Sequence, residues 1–350
     1  MKNFKVIMGI VLITFILVSL DLFAQSVSGK EERAVWLHGK MFSKESDEAL
    51  SQIKEKLDEF ERIGINTLFY YCKTKHNEYQ WDNLVPIIKE AHKRKMEVHV
   101  NYMPGHKFEL EGEIKEHPEW LRRGIKGEIY PQLNIALPEV REYMVRKISE
   151  VLEYDIDGIH LDYIRFQVNQ GFSYDEATCD AFKKIYGVSP LKVHMDTGSM
   201  VWCEWLKWNT EQVTRLVRGV RKMIDESGKD LVLGVDVFAD NAAAKSLIAQ
   251  DWKTWADEGL IDIACPMDYT NDVKLFEQYV KEQVKVADGK CKLYAGIAVS
   301  SSHNKNTPEG VKEEVKAARK VGADGVAFFS GYSLKDEFID ELETFYKENK

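Results

Sequence analysis

The chain has 350 residues, 44% of them apolar and 30% charged, with a formal net charge of −9 at pH 7. That length and apolar content supply a full hydrophobic core, in one large domain or two ordinary ones. The acidic balance argues against a protein that grips nucleic acid or an anionic membrane by charge alone.

At the N-terminus, Lys2 and Lys5 precede an almost unbroken apolar run from Val6 to Leu20, and the small residue Ala24 follows. A basic start, a short apolar run and a small residue at a cleavage point read as a secretory signal peptide over residues 1–25. The run is shorter than the roughly 20 residues of a comfortable membrane span. Its removal carries away two lysines and one aspartate, so the net charge moves from −9 to −10. The mature chain, 26–350, is expected in the periplasm or outside the cell, with no membrane attachment. Its five cysteines (Cys72, Cys179, Cys203, Cys265 and Cys291) are odd in number and form no CxxC, so neither a disulfide framework nor a zinc knuckle is indicated.

From there two periodicities alternate to the end. Strand-like runs rich in β-branched and aromatic residues occupy 33–39, 66–73, 97–103, 157–166, 230–238, 262–269, 292–300 and 324–332. Helical patterns separate them. In 50–64, Ile53, Leu57 and Phe60 share one face, and 138–154 and 308–322 each open on proline, which the first turn tolerates. Strands each followed by a helix indicate parallel pairing through right-handed crossovers. Eight such units predict a single-domain (β/α)8 barrel. A doubly wound open sheet competes, but no glycine-rich phosphate loop follows the first strand. Two long connections, 104–137 and 167–200, are expected to wall the open end.

The stretch DGIHLDYIRF (157–166) carries Asp162 and Arg165 near its far end. In mid-strand those charges would be buried and unpaired; at the C-terminal end of a barrel strand they face a pocket. Comparable positions on other strands are Trp36, His38, Tyr71, Lys73, Asn101, Tyr102, Asp236, Phe238, Asp240, Asp268, Tyr269, Ser300, Ser330 and Tyr332. Aromatic rings beside carboxylates suit sugar rings, which stack on flat apolar faces and offer hydroxyls. Two carboxylates across a pocket hydrolyse a glycosidic bond, one as acid and one as nucleophile or base. Arg165 is expected to keep Asp162 ionised, and the second carboxylate to be Asp268 first or Asp236 second. His38, His99 and His160 show no metal-binding spacing, and no metal or cofactor is expected. Lys73 is a weaker candidate, for a Schiff base. Trp202, Trp205 and Trp208 read as helix packing before a sugar platform.

The blocks RAVWLHG, HPEWL, LPEVREYMVRKISEVLEYDIDGIHLDYIRF, WLKWNTEQVTRLVRGVRKMI and QDWKTWADEGLIDIACPMDY, in that order, resemble the glycoside hydrolase family 10-like group of exported bacterial proteins. The resemblance implies a (β/α)8 barrel acting on a polysaccharide or oligosaccharide. The group is associated with envelope glycans, including peptidoglycan strands stripped of peptides. It gives Asp162 the catalytic role and brings in Asn209. Many members carry a second aspartate where Tyr163 stands. By the α-galactosidase precedent, a retaining pair would use Asp162 on strand four and Asp268 on strand six. The chitinase frame DxxDxDxE fails, since Ile164 occupies its acid position. An α-glycosidase on plant or storage polysaccharide, and a barrel that binds glycan without cleaving it, stay open beside the envelope hydrolase.

Overall fold

A computed structural model describes residues 31–71, 84–106, 112–168, 170–192 and 198–349. The expected signal peptide, Cys72 and Lys73 lie outside the described residues. Arg33–Lys350 forms one compact unit.

Eight strands close a parallel barrel in sequential order: β1 (Glu32–His38), β2 (Thr67–Tyr71), β3 (Glu97–Tyr102), β4 (Gly158–Leu161), β5 (Val232–Phe238), β6 (Ile263–Met267), β7 (Lys292–Ala298) and β8 (Gly325–Phe329). Around them lie α1 (Ser46–Arg62), α2 (Leu84–Lys93), α3 (Pro138–Ser149), α4 (Met200–Ser227), α5 (Trp252–Asp257), α6 (Val273–Ala287), α7 (Pro308–Val321) and α8 (Asp336–Glu348). The (β/α)8 expectation holds strand for strand. One difference matters: β4 stops at Leu161, short of the expected 166, because Tyr163 takes a positive φ of 52° that ends extended pairing.

The helices form where the sequence places an apolar stripe between start and stop signals. On α1 the stripe is Ala49, Ile53, Leu57 and Phe60, all buried. Helix α7 opens on a Thr307 cap with Pro308 in its first turn and ends at Gly322, whose φ of 90° suits glycine.

Alternation along each strand sorts residues to two cores. Val35, Leu37, Leu68, Val98, Val100, Ile159, Leu161, Leu233, Val235 and Val237 point outward into the layer shared with the helices. Ala34, Trp36, Phe69, Ile263, Cys265, Tyr294 and Ala327 pack inside the barrel. Two histidines also lie fully buried inside, and glycines make room for them. His99 pairs in register with Gly158, and His160 with Gly234. A Cβ at Gly158 would lie 2.8 Å from the His99 ring, and one at Gly234 would lie 2.3 Å from Nδ1 of His160.

The two long connections carry structure of their own. Residues 112–116 form a short helix, and Leu121–Arg123 pairs antiparallel with Ile129–Leu133. The second connection holds the helix Glu176–Tyr186. Phe182 of that helix packs edge-on to Trp205 at 5.0 Å, and Trp205 stacks on Trp208 at 5.3 Å. Those tryptophans are helix packing, as the helical spacing indicated.

Candidate active site

The phase of the strands decides which candidates meet. Leu161 of β4 is in register with Val235 of β5, so Asp162 and Asp236, one step further on, sit side by side at the C-terminal end and on the inner side. Both oxygens of Asp236 are engaged. Trp36 on β1 donates its indole N–H to Oδ2 at 3.0 Å, and His160 lies 2.7 Å from Oδ1 through Nε2. The His160 ring stacks on Phe69 at 3.8 Å. The nearby Gln250 side chain accepts from the Phe238 amide at 2.8 Å and donates to the Asp236 carbonyl at 3.1 Å, which fixes the end of β5.

Asp162 is held differently. Its own amide donates to the Tyr102 carbonyl at 2.8 Å, and its Oδ1 accepts from the Tyr163 amide at 2.6 Å. Its side chain keeps 19% exposure, and Arg165 reaches Oδ1 at only 3.4 Å. Burial, then the neighbouring Asp236 charge, push the Asp162 carboxyl up to about 6, against the opposing pull of Arg165, the Tyr163 amide and His160. Arg165 was expected to keep Asp162 ionised; it pulls in that direction, but desolvation and a like charge outweigh one long contact and move the titration toward neutrality.

The loop after β4 is tightly placed. A Cβ at Gly105 would fall 2.1 Å from the Tyr163 carbonyl oxygen and 2.5 Å from that of Arg165. Gln167 donates to the Gly105 carbonyl at 2.8 Å, and the Phe166 amide to that of Ile248 at 2.9 Å. The Arg165 guanidinium lies over the Tyr163 ring at 4.2 Å and over the Phe238 ring at 4.9 Å.

Aromatic walls continue round the mouth. Tyr269 stacks on Phe329 at 5.4 Å, and Phe329 meets Trp36 edge-on at 6.0 Å. Burial and the charges of Asp236 and Asp162 raise the Tyr269 phenol well above its ordinary range. His38 and Tyr71 pack edge-on at 4.4 Å. Asn101, next to Tyr71 and His160 in register, is buried with its Oδ1 unpartnered among the described residues. Tyr332 stands 69% exposed beyond β8.

Four of the expected residues lie elsewhere. Asp268, the first choice for second carboxylate, is 1% exposed and accepts from Gln283 of α6 at 2.6 Å. Cys265 points inward, so Asp268, three residues on, points outward into the helix layer. Burial raises its carboxyl well above the usual range. The strand-four and strand-six pair of the α-galactosidase precedent is therefore not formed; the acids that adjoin in the mouth are Asp162 after β4 and Asp236 on β5. Tyr102 is likewise out of phase: it packs in the outer core, and burial, with Glu150 and Tyr143 nearby, raises its phenol. Asn209 is fully buried on α4 and donates to the Trp205 carbonyl at 2.8 Å, so it is no part of an open mouth. Asp240 caps the helix Asn241–Ile248.

His160, Asp236 and Cys265 place a nitrogen, an oxygen and a sulfur within 4.8 Å of one another, the one group of potential metal ligands among the described residues. Two of the three already bond to each other.

A closed parallel barrel with adjacent acids and aromatic rings at its strand ends defines a (β/α)8 protein of the kind that does its chemistry at the C-terminal face. The chain belongs to the glycosyl hydrolase-like 10 family, whose profile matches residues 70–312. It is 22% identical to glycosyl hydrolase YngK of Bacillus subtilis, over 76% of this chain and 59% of that protein. It is 24% identical to glycosyl hydrolase DigH of Escherichia coli K12, over 70% of this chain and 64% of that one. The chain thus spans about three fifths of these relatives' length. Among solved structures, the PgaB (BpsB) glycoside hydrolase domain from Bordetella bronchiseptica superposes with a TM-score of 0.69 at 9% identity, covering 90% of this chain and 98% of that one. The GH42 β-galactosidase Gan42B of G. stearothermophilus gives 0.67 at 13% identity, over 91% and 56% respectively. At such identities the likeness is one of fold.

Proposed function

We propose that the protein is an exported glycoside hydrolase that cleaves a bacterial envelope glycan of the peptidoglycan type. The observation that carries this reading is the pairing of Asp162 with Asp236 on adjacent strands, in a mouth walled by aromatic rings. Family membership supports the reaction class, and the apolar, lysine-flanked residues 1–25 support export.

The two acids divide the work by environment. Asp162, pushed up to about 6, keeps a protonated fraction toward neutrality and gives that proton to the glycosidic oxygen as the bond breaks. Asp236, with its oxygens anchored by Trp36 and His160, is a preorganised negative group for the positive charge that develops on the sugar ring; water then adds to the anomeric carbon and gives up a proton that restores the acid form of Asp162. Tyr269, Phe329 and Tyr71 offer faces for the sugars, and Asn101 an unused acceptor for a hydroxyl.

The test incubates the mature protein and its Asp162→Asn variant with intact sacculi, amidase-stripped glycan strands and a panel of α- and β-glucans, reading released sugars by mass spectrometry. Product from one substrate class, absent with the variant, is expected. Release from a storage glucan alone would replace the envelope assignment with an α-glycosidase. Binding by both proteins with release by neither would overturn hydrolysis in favour of a glycan-binding barrel.

A further inference from the structure

Arg165 is a cation held out of water with almost nothing to bind. Its side chain is 7% exposed, and its single hydrogen bond to the described residues through the guanidinium is the 3.4 Å contact with Asp162. Its central carbon lies over the Tyr163 ring at 4.2 Å and over the Phe238 ring at 4.9 Å, so its other close neighbours are aromatic and not anionic. A guanidinium offers five N–H donors in a planar fork. A buried charge so poorly paired is costly to the folded protein unless something else completes it.

The loop does not let Arg165 seek a partner elsewhere. The contacts of Asp162 with Tyr102, Phe166 with Ile248 and Gln167 with Gly105 pin the backbone on both sides of it. The Tyr163 and Phe238 rings pack on the head. A guanidinium fork fixed in place beside the proton donor suits a planar anion.

We propose that Arg165 is the receptor for a carboxylate on the glycan, so that the site selects sugars carrying a free carboxylate beside the bond to be cleaved. The proposal deepens the hydrolase reading and rests on it for the identity of the ligand as a glycan. The chemistry of the donor form sharpens it. When Asp162 is protonated to act as the acid, Arg165 loses the anionic character of its one protein partner. The groups facing Asp162 are Asp236, His160 and Tyr269, and Asp236 is already held by two other donors. A substrate carboxylate then supplies the counter-charge at the step that needs it.

The experiment measures binding by calorimetry in the full mature chain carrying Asp162→Asn, which blocks turnover and mimics the protonated acid. The probes are amidase-stripped glycan oligomers with their lactyl carboxylates free, the same oligomers after conversion to methylamides, and a hexuronate-containing oligosaccharide with its amidated counterpart. The free form of one pair is expected to bind roughly tenfold or more tightly than its amide, as charge-assisted bidentate recognition gives. Adding Arg165→Gln should bring the two forms within about twofold, and Arg165→Lys should restore part of the preference. Which pair responds identifies the carboxylate as a lactyl ether or a uronic acid. Equal affinity for free and amidated oligomers in Asp162→Asn, or a preference that survives Arg165→Gln, would overturn the proposal. Should the Arg165→Gln protein not fold, Arg165→Lys carries the comparison, and a preference of undiminished size in it would overturn the assignment to Arg165. Turnover of neutral glycans by the wild type would leave the hydrolase reading standing in either case.

Discussion

The buried acid Glu314 of α7 gives a prediction that needs no substrate. Its side chain is 1% exposed, and Oε2 accepts from Asn306 at 2.9 Å. Burial, assisted by the charge of Asp268, pushes its carboxyl up to about 8 from an ordinary 4.5, against the pull of Asn306. A group whose folded form holds its proton more tightly than the unfolded chain stabilises least when that proton must be lost. Stability is full below pH 4.5 and is lost as pH rises toward about 8, where the folded form finally titrates. Linkage puts the cost at about 3 kcal/mol at pH 7 and about 1 kcal/mol at pH 5. Glu314→Gln keeps an acceptor for Asn306 and removes the titration. Its stability relative to the wild type should therefore climb by about 3–4 kcal/mol between pH 5 and pH 8. Urea unfolding at a series of pH values measures it. A difference that stays constant with pH would refute the reasoning, whatever its size, because only a titrating group can give it slope.

Two further outcomes concern the mouth itself. If Asp162 is the proton donor, kcat/KM should fall about tenfold per pH unit above about 6, since its carboxyl is pushed up to about 6 and the protonated form is depleted beyond that; a profile flat from pH 5 to 8 would remove it from that role. Gly105→Ala should cost on the order of 1–3 kcal/mol through overpacking and cut activity with it, because a Cβ there meets the Tyr163 carbonyl at 2.1 Å; unchanged melting and turnover would mean that the loop carrying Arg165 can move freely.

The eight strands were legible because each carries enough apolar residues for a buried parallel strand and each is followed by a helical stripe, so composition and period agree. The site was legible to the level of strand ends and no further. Naming every polar residue near a strand end mixes two faces, and only alternate residues enter the barrel. On β3, His99 and Asn101 point in, so Tyr102 points out; on β6, Cys265 points in, so Asp268 points out. The period of two held the answer once an inward residue was fixed. Asn209 sits on a helix, where strand phase gives no guidance, and it is fully buried with its amide on the Trp205 carbonyl. Gln250 was not singled out at all: nothing in the local sequence ties a residue between two short helices to the end of β5.

What fixes the inward phase is itself written in the sequence as pairs of histidine and glycine. An imidazole inside a barrel needs space on the neighbouring strand, and a glycine at the same register supplies it. His99 meets Gly158, and His160 meets Gly234. Two residues beyond His160 is Asp162, and two beyond Gly234 is Asp236, so the same steric requirement that admits the histidine sets both acids on the inner side at one level. A side chain at Gly234 would displace the His160 ring from Phe69 and pull Nε2 from Asp236, loosening one of that acid's two anchors. The glycine thus belongs to the geometry of the acid pair as much as to the packing of the barrel. The charges in IHLDYIRF stand where they do because the strand beneath them has already chosen its face.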